Sequence, residues 1–378
     1  VPDIDPVPLA ELTTLRTGGR PARMIAANTR DELIAALREV WSTGDPWLAL
    51  GGGSNLFVGD EEFPGTVIRI LTSGIERLPD PRPGVARLRV EAGHDWDDLV
   101  AYAVGEGLAG IEGMSGIPGT VGAAPVQNVG AYGQEIEQTL VEVELLDETT
   151  GRVETVPVAE LGLGFRTSVF KAHYGSVAER PSVIISVTLD LEEVGDGARP
   201  VGGDQLRRAL GYEPGAAATL REVRERVLAT RRGKGMVLDD ADPDTWSAGS
   251  FFQNAIVSAA FARTLPPECP RWPVRPDTDV DTVIPLAAYD GVVPAASGPS
   301  PDVKVSAAWL IEHAGLRKGF SLPRSRAGLS TKHALALTNR GGASAAELAE
   351  LARFIQQRVQ AEFGLILQPE PVLVDVEL

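Results

Sequence analysis

The apolar positions of this chain change period along its length, and each change marks an element. Over residues 30–42, RDELIAALREVWS, the residues Leu33, Ile34, Leu37 and Val40 recur at spacings of three and four, which predicts an amphipathic helix. WLALGGGSNLFV (47–58) reads as a strand, a glycine turn and a second strand, and GTVIRI (65–70) and RLRVEAG (87–93) read as further strands. WDDLVAYAVGEGLAG (96–110) returns to a helical period and stops at glycine. VEVELLDETTGRVETV (141–156) turns at TTG as a hairpin does, and PSVIISVTLDLEEV (181–194) predicts a long strand. Helices are predicted over 219–232, in KVSAAWLIEHAG (304–315) and in SAAELAELARFIQQRVQAEFG (344–364); LILQPEPVLVDVEL then closes the chain as a strand. Between these elements, 113–133 is crowded with glycine and loop-like, 194–217 is rich in Gly, Ala and Pro, and the prolines of 264–303 predict a long surface excursion. No internal repeat is present. The mixture is α+β, without regular βαβ alternation.

Composition narrows the class. A chain of 378 residues is too long for one ordinary core, so two or three domains are expected. No apolar run reaches 18 residues, so no membrane-spanning helix is expected, and VPDIDPVPLAELTTLRTGG has neither the basic start nor the apolar centre of a signal peptide. A single cysteine, Cys269, cannot form an internal disulfide, which points to the cytoplasm. The net charge of −17 disfavours nucleic acid and anionic lipid as partners. It leaves room for local cations: Lys171, Lys234, Lys304, Lys318 and Lys332 are the only lysines, and Arg231 and Arg232 stand beside Lys234. Such a patch suits a small anionic ligand, although a general preference for arginine accounts for sparse lysine equally well.

Three glycine clusters raise the question of phosphate binding, because glycine lets backbone N–H groups approach phosphate oxygens without a Cβ in the way. GGGSNL (51–56) is not a dinucleotide fingerprint, since Leu56 stands where the last glycine belongs. RRGKGM lacks the spacing and hydroxyl of a phosphate-binding loop of the Walker type, and GIPGTVG (116–122) fits neither pattern. Each cluster alone is accounted for by a tight turn. In SAGSFFQN, Ser250 stands between a glycine and two phenylalanines. Its hydroxyl can cap a turn or take part in chemistry, and the residue alone does not decide.

Taken together, the strand entering GGGSN and the later SGIPGTVGAAPVQNVGAYG resemble the flavin-binding domain of the vanillyl-alcohol-oxidase (PCMH) type. Many oxidases of that fold carry an attachment histidine directly after the glycine run. Ser54 occupies that place here, so the resemblance implies non-covalent FAD, while His94 reads as a surface histidine. The ordered series TTLRTGG, GGGSNL, GIPGTVGAAPVQNVGAYG, FRTSVFK, SAGSFFQN, SAAWLIEHAG and QPEPVL is more specific. It closely resembles the UDP-N-acetylenolpyruvoylglucosamine reductases of bacterial cell-wall synthesis, from about residue 12 to the C-terminus. The 195–232 segment looks like the longer substrate loop of their type I subgroup.

That resemblance implies FAD-mediated, NADPH-dependent reduction of the enolpyruvyl ether of UDP-N-acetylglucosamine to UDP-N-acetylmuramate. Negative charge then develops at C2 of the substrate and spreads into its carboxylate. Arg166 matches the arginine that grips this carboxylate, Glu370 the second polar group at the developing enol, and Ser250 the proton donor to C2. The FAD contacts implied are Gly51, Gly52, Gly53, Ser54, Asn55 and Leu56 from the first turn, and Ser115, Gly116, Ile117, Pro118, Gly119, Gly122 and Ala123 from the second. Lys234 and Asn254 match positions near the substrate diphosphate; Tyr132, grouped with them, lies in the glycine-rich loop, where it lines the flavin pocket or simply packs. No metal is expected, and the resemblance implies a monomer. In RPVGGDQL, Gly203 stands where type I members usually carry a substrate-loop tyrosine, and Tyr212 lies nearby in another register. The expected division is 1–78 completed by 370–378, then 79–238, both for FAD, and 239–369 for the substrate. A sugar or alcohol oxidase of the same fold, and a nucleotide-sugar sensor without turnover, are the alternatives.

Overall fold

The computed structural model describes residues 1–171, 178–274 and 302–378. Near the N-terminus, the strands Asp3–Ile4, Pro21–Ala27, Phe63–Ile70 and Trp47–Leu50 lie side by side in that order. Pro21–Ala27 and Trp47–Leu50 both run parallel to Phe63–Ile70, and the helix Arg30–Thr43 makes the connection between them. This local parallel unit departs from the sequence expectation, which missed the strand Pro21–Ala27. Thr29 and Glu32 form a capping box at the helix start, and Gly44 ends the helix at φ 72°. Leu33, Ala36, Leu37 and Val40 face the sheet with no more than 1% exposure. Burial of one such large side chain is worth about 1.5–3 kcal/mol, so the apolar stripe seats the helix and the strands beneath it.

A second, antiparallel sheet has the order Val153–Pro157, Leu140–Asp147, Ser182–Glu193, Val85–Glu91 and Ile75–Arg82. The predicted hairpin and long strand are both present. Ile75–Arg82 was not among the expected strands; its two prolines are tolerated because it is an edge strand, where a missing N–H costs no ladder bond. The helix Trp96–Gly105, capped by Asp95, shares a core with this sheet. Trp96 is buried, and its indole N–H donates to Met114 O at 3.2 Å, which ties the helix to the glycine-rich loop.

The C-terminal region pairs Ala255–Ser258, Asp302–Val305 and Arg271–Pro273, and adds the hairpin Ala327–Leu329/Leu337–Asn339 and the helices Ala307–His313 and Ala345–Phe363. KVSAAWLIEHAG is therefore not one helix. Lys304 and Val305 belong to a strand, and Ser306 caps the helix by accepting from Trp309 N. The closing segment is likewise shorter than expected, because Pro369 and Pro371 keep 365–371 irregular. Val372–Val374 does pair, parallel to Leu56–Val58 beside the glycine turn. Much of the predicted excursion, residues 275–301, lies outside the described residues.

Candidate active site

The two glycine-rich turns are brought together by main-chain contact. A Cβ on Gly51 would come within 2.4 Å of Thr120 Oγ1, one on Gly52 within 2.7 Å of Gly119 Cα, and one on Gly53 within 2.1 Å of Leu12 O. The turn after Trp47–Leu50 thus crosses the turn at 116–120 with no room for side chains. Gly119, at φ 130°, has Ser54 Oγ against its face. The second turn is braced from behind: Trp96 N donates to Gly119 O at 3.1 Å, and Gly116 N donates to Asp97 Oδ1 at 2.6 Å. Arg224 holds the same carboxylate through two bonds of 2.5 and 2.8 Å. A Cβ at Gly122 would strike Ala92 at 2.5 Å, so Val121–Ala123 lies flat on the second sheet.

Not every residue of the two turns faces a ligand. Ser115 is buried and donates to Glu112 O at 2.6 Å, Ile117 packs against the main core, and Leu56 opens the strand that pairs with Val372. Pro118 lines a small crevice with Thr14, Arg231, Met236 and Gly249. In it, Arg231 donates through Nη2 to Met236 O, but its buried Nε has no hydrogen-bond partner in the protein and lies 3.7 Å from a Cβ built on Gly116. Burial pulls the guanidinium below its ordinary pKa. An unsatisfied buried cation beside bare main-chain turns fits a diphosphate dianion, so these residues suit FAD.

Arg166 and Glu370 come from distant segments and meet as an ion pair, and the residue after Ser250 bonds to the main chain of Glu370. Arg166 Nε lies 2.9 Å from Glu370 Oε1, a close ion pair whose angle does not make an aligned hydrogen bond. Its Nη1 and Nη2 reach Asn128 O and Gly130 O at 3.4 Å, so the loop carrying Tyr132 holds the guanidinium. Arg166 has φ 58° and Tyr132 φ 55°, backbone conformations that cost non-glycine residues energy and that cluster at functional sites. Ser250 is half-buried. The next residue, Phe251, accepts from Glu370 N at 2.8 Å and donates to Leu335 O at 2.7 Å, and Phe252 bridges Pro369. Phe251 and Phe252, which follow the serine in the chain, are almost fully buried in the C-terminal core and pack edge-on.

Several residues at this junction had not been assigned a role from sequence. Lys171, the last residue of FRTSVFK, is 9% exposed and donates to Gln127 Oε1 at 3.0 Å and Glu370 O at 2.7 Å. Burial pushes its ammonium down to about 8, with Glu370 opposing and Arg166 adding to the shift. Asn55 donates to the same Gln127 oxygen at 2.7 Å. Lys304 stands 4.3 Å from the centre of the Phe165 ring, and burial and Arg166 lower its pKa while Glu135 opposes them. His333 accepts a bond from Leu335 N at 3.1 Å; burial, with Lys234, Lys318 and Arg231, pushes it down to about 4. Thr14 donates to Ser247 O at 2.7 Å while its N–H donates to Gly53 O, joining the glycine turn to the serine segment. Lys171 and Gln127 were inside quoted motifs, but nothing in their spacing disclosed a shared partner.

Of the expected substrate residues, Lys234 ends the helix Leu220–Gly233 and lies 5.6 Å from the centre of the Tyr132 ring. Asn254 Oδ1 accepts from Ala307 N at 3.0 Å, so part of its amide is engaged in starting a helix. Gly203 adopts φ 73° at the start of Asp204–Ala209, which disfavours any side chain there, and Tyr212 packs with Leu206 and Leu210 under Arg226. A cavity of about 540 Å³ lies against this segment, lined by Tyr132, Val201, Gly203 and Leu206 among others; Arg166, Ser250 and Glu370 do not line it. His94 is not a free surface residue: Nδ1 contacts Ser73 Oγ at 3.0 Å and Nε2 is buried.

Comparison with known proteins bears on this geometry. Residues 21–157 match the family model of an FAD binding domain, and residues 242–374 that of the UDP-N-acetylenolpyruvoylglucosamine reductase C-terminal domain. The UDP-N-acetylenolpyruvoylglucosamine reductase of Leifsonia xyli is 52% identical over 99% of this chain and 100% of its own length. That of Saccharopolyspora erythraea is 49% identical over 98% of this chain and 95% of its own. The crystal structure of UDP-N-acetylenolpyruvylglucosamine reductase from Thermus caldophilus, 27% identical, superposes with a TM-score of 0.59 and covers 98% of each chain. Crossed glycine turns on an α+β scaffold, over residues that match an FAD binding domain, thus define a flavoprotein. Within that class, the chain belongs to the UDP-N-acetylenolpyruvoylglucosamine reductase family. No helix among the described residues is long and apolar enough to cross a membrane.

Proposed function

We propose that this chain reduces enolpyruvyl-UDP-N-acetylglucosamine to UDP-N-acetylmuramate, with NADPH as reductant and dissociable FAD. The observation that carries the reading is the junction of Arg166, Glu370 and the Ser250 segment against a buried phenylalanine wall. The chemistry that FAD supplies when bound is relay of a hydride between NADPH and the substrate double bond. The chain does the rest. Arg166 grips the substrate carboxylate and stabilises the charge that develops there. Ser250 Oγ delivers a proton to C2, a step a hydroxyl can manage when water is excluded and the acceptor is strongly basic. Glu370 polarises the developing enol and orients Arg166. Lys234, Tyr132 and Asn254 hold the diphosphate end. Gly51–Ser54 and Gly116–Gly119 hold FAD through their main chain, and Ser54 offers no nucleophilic ring for covalent attachment.

In the same reading, 1–78 with 370–378 and 79–238 form the two FAD-binding parts, and 239–369 receives the UDP-sugar. The protein works as a cytoplasmic monomer that binds no nucleic acid. The test is direct. Purified protein should be yellow, should bleach anaerobically with NADPH, and should regain its colour on addition of the enolpyruvyl substrate with formation of UDP-N-acetylmuramate. Rapid recovery with oxygen but not with this substrate would establish an oxidase instead, and binding of the UDP-sugar without bleaching would establish a sensor.

A further inference from the structure

Lys171 is a buried cation that the roles above do not use. An ammonium this deep costs free energy unless its donors are satisfied, and two of them are. One reaches Gln127 Oε1 at 3.0 Å, the other Glu370 O at 2.7 Å. Gln127 Oε1 is shared with Asn55 Nδ2 at 2.7 Å, and Asn55 Nδ2 also reaches Glu370 O at 3.4 Å. Asn55 follows the first glycine turn, Gln127 lies on the loop that continues from the second, and Glu370 is paired with Arg166. One ammonium therefore joins both flavin-side turns to the main chain of the carboxylate at the reacting end.

We propose that Lys171 is a positioning residue for reduction of the substrate, setting the distance between the flavin turns and the Arg166–Glu370 pair through Gln127 and Asn55. This rests on the function proposed above. Hydride transfer is sensitive to placement, and a displacement of about 1 Å can cost on the order of 10²-fold in rate. A neutral amine would keep a donor but lose the charge that holds two carbonyl oxygens together. The charged groups facing Lys171 are Glu370 from the closing segment and Arg166 from its own loop. Its ammonium is retained below about pH 8 and lost above it.

The test uses FAD-loaded protein and separates the two half-reactions by stopped-flow absorbance. Lys171→Met should keep its flavin and be bleached by NADPH at the wild-type rate, while reoxidation by the enolpyruvyl substrate falls about 10²-fold. In the wild type, the reoxidation rate should fall as pH rises through about 8. Lys171→Arg, always charged, should restore much of the rate and abolish that fall. Gln127→Leu, which removes an acceptor that favours the charged amine, should slow reoxidation and move the decline to lower pH. A Lys171→Met variant that reoxidises at the wild-type rate overturns the proposal, as does one that loses flavin and both half-reactions together. Should Lys171→Met not fold, a decline near pH 8 that persists in Lys171→Arg overturns it. A wild-type enzyme that never reduces the enolpyruvyl substrate refutes the underlying function instead.

Discussion

The two ends of the candidate site are held by opposite means. At the flavin end, Gly51–Ser54 and the 116–120 turn meet backbone to backbone, with Gly52 and Gly119 in direct register. At the reacting end, Arg166, Ser250 and Glu370 are brought in from separate segments by an ion pair, main-chain bonds around Phe251, and the Lys171–Gln127–Asn55 links. The first arrangement fails when anything is added; the second fails when something is removed. Glycine is required where two chains must touch, whereas charge and hydrogen bonding are required where distant segments must be aligned.

That contrast can be broken first at the reacting end. Ser250→Ala should leave flavin content and NADPH bleaching at wild-type levels and slow reoxidation by the substrate about 10²–10⁴-fold, the usual loss on removing a positioned acid. Stopped-flow reoxidation at the wild-type rate would reduce Ser250 to a turn residue. Lys234→Ala should raise the substrate KM by roughly 10- to 150-fold, equivalent to a charge-assisted bond of about 1.5–3 kcal/mol, with bleaching at low NADPH little changed. Steady-state titration measures this, and an unchanged KM would remove Lys234 from the diphosphate site.

The flavin end should respond to addition. Gly52→Val places carbon 2.7 Å from Gly119 Cα, and forced overpacking of this kind costs about 1–3 kcal/mol. The variant should purify with less bound FAD, read from its visible absorbance, while whatever flavin it retains is still reoxidised by substrate. Full FAD occupancy would show that the two turns separate easily. The smallest effect belongs to the link between the ends. Thr14→Val removes the 2.7 Å bond to Ser247 O and should cost roughly 1 kcal/mol, seen as a fall in melting temperature with both half-reactions intact.

The same contrast explains what could be read from residue order. The helix Arg30–Thr43 was legible because its burial is periodic and its caps are local, and the hairpin at 140–157 for the same reason. Pro21–Ala27 was not, because PARMIAA owes its strand to two flanking strands rather than to its own composition. The glycine turns stood out as motifs. Their contact was not legible, and the roles expected of Arg166, Ser250 and Glu370 came from the family resemblance, since nothing local marks an arginine at 166 as the partner of a glutamate at 370. Lys171, Gln127 and His333 are absent from the expected site because their meaning lies wholly in which main-chain and side-chain atoms they reach.

The parallel pairing of Val372–Val374 with Leu56–Val58 also bears on how the molecule is made. Chains emerge from the ribosome in order, at about 5–20 residues per second. The strand at 56–58 and the glycine turn before it therefore wait for a partner that is translated long after them. Contacts so distant in sequence are slow to close. The partner of the flavin-side strand and Glu370 arrive on the same segment, so synthesis delivers that piece of the scaffold and the acidic group of the reacting end together.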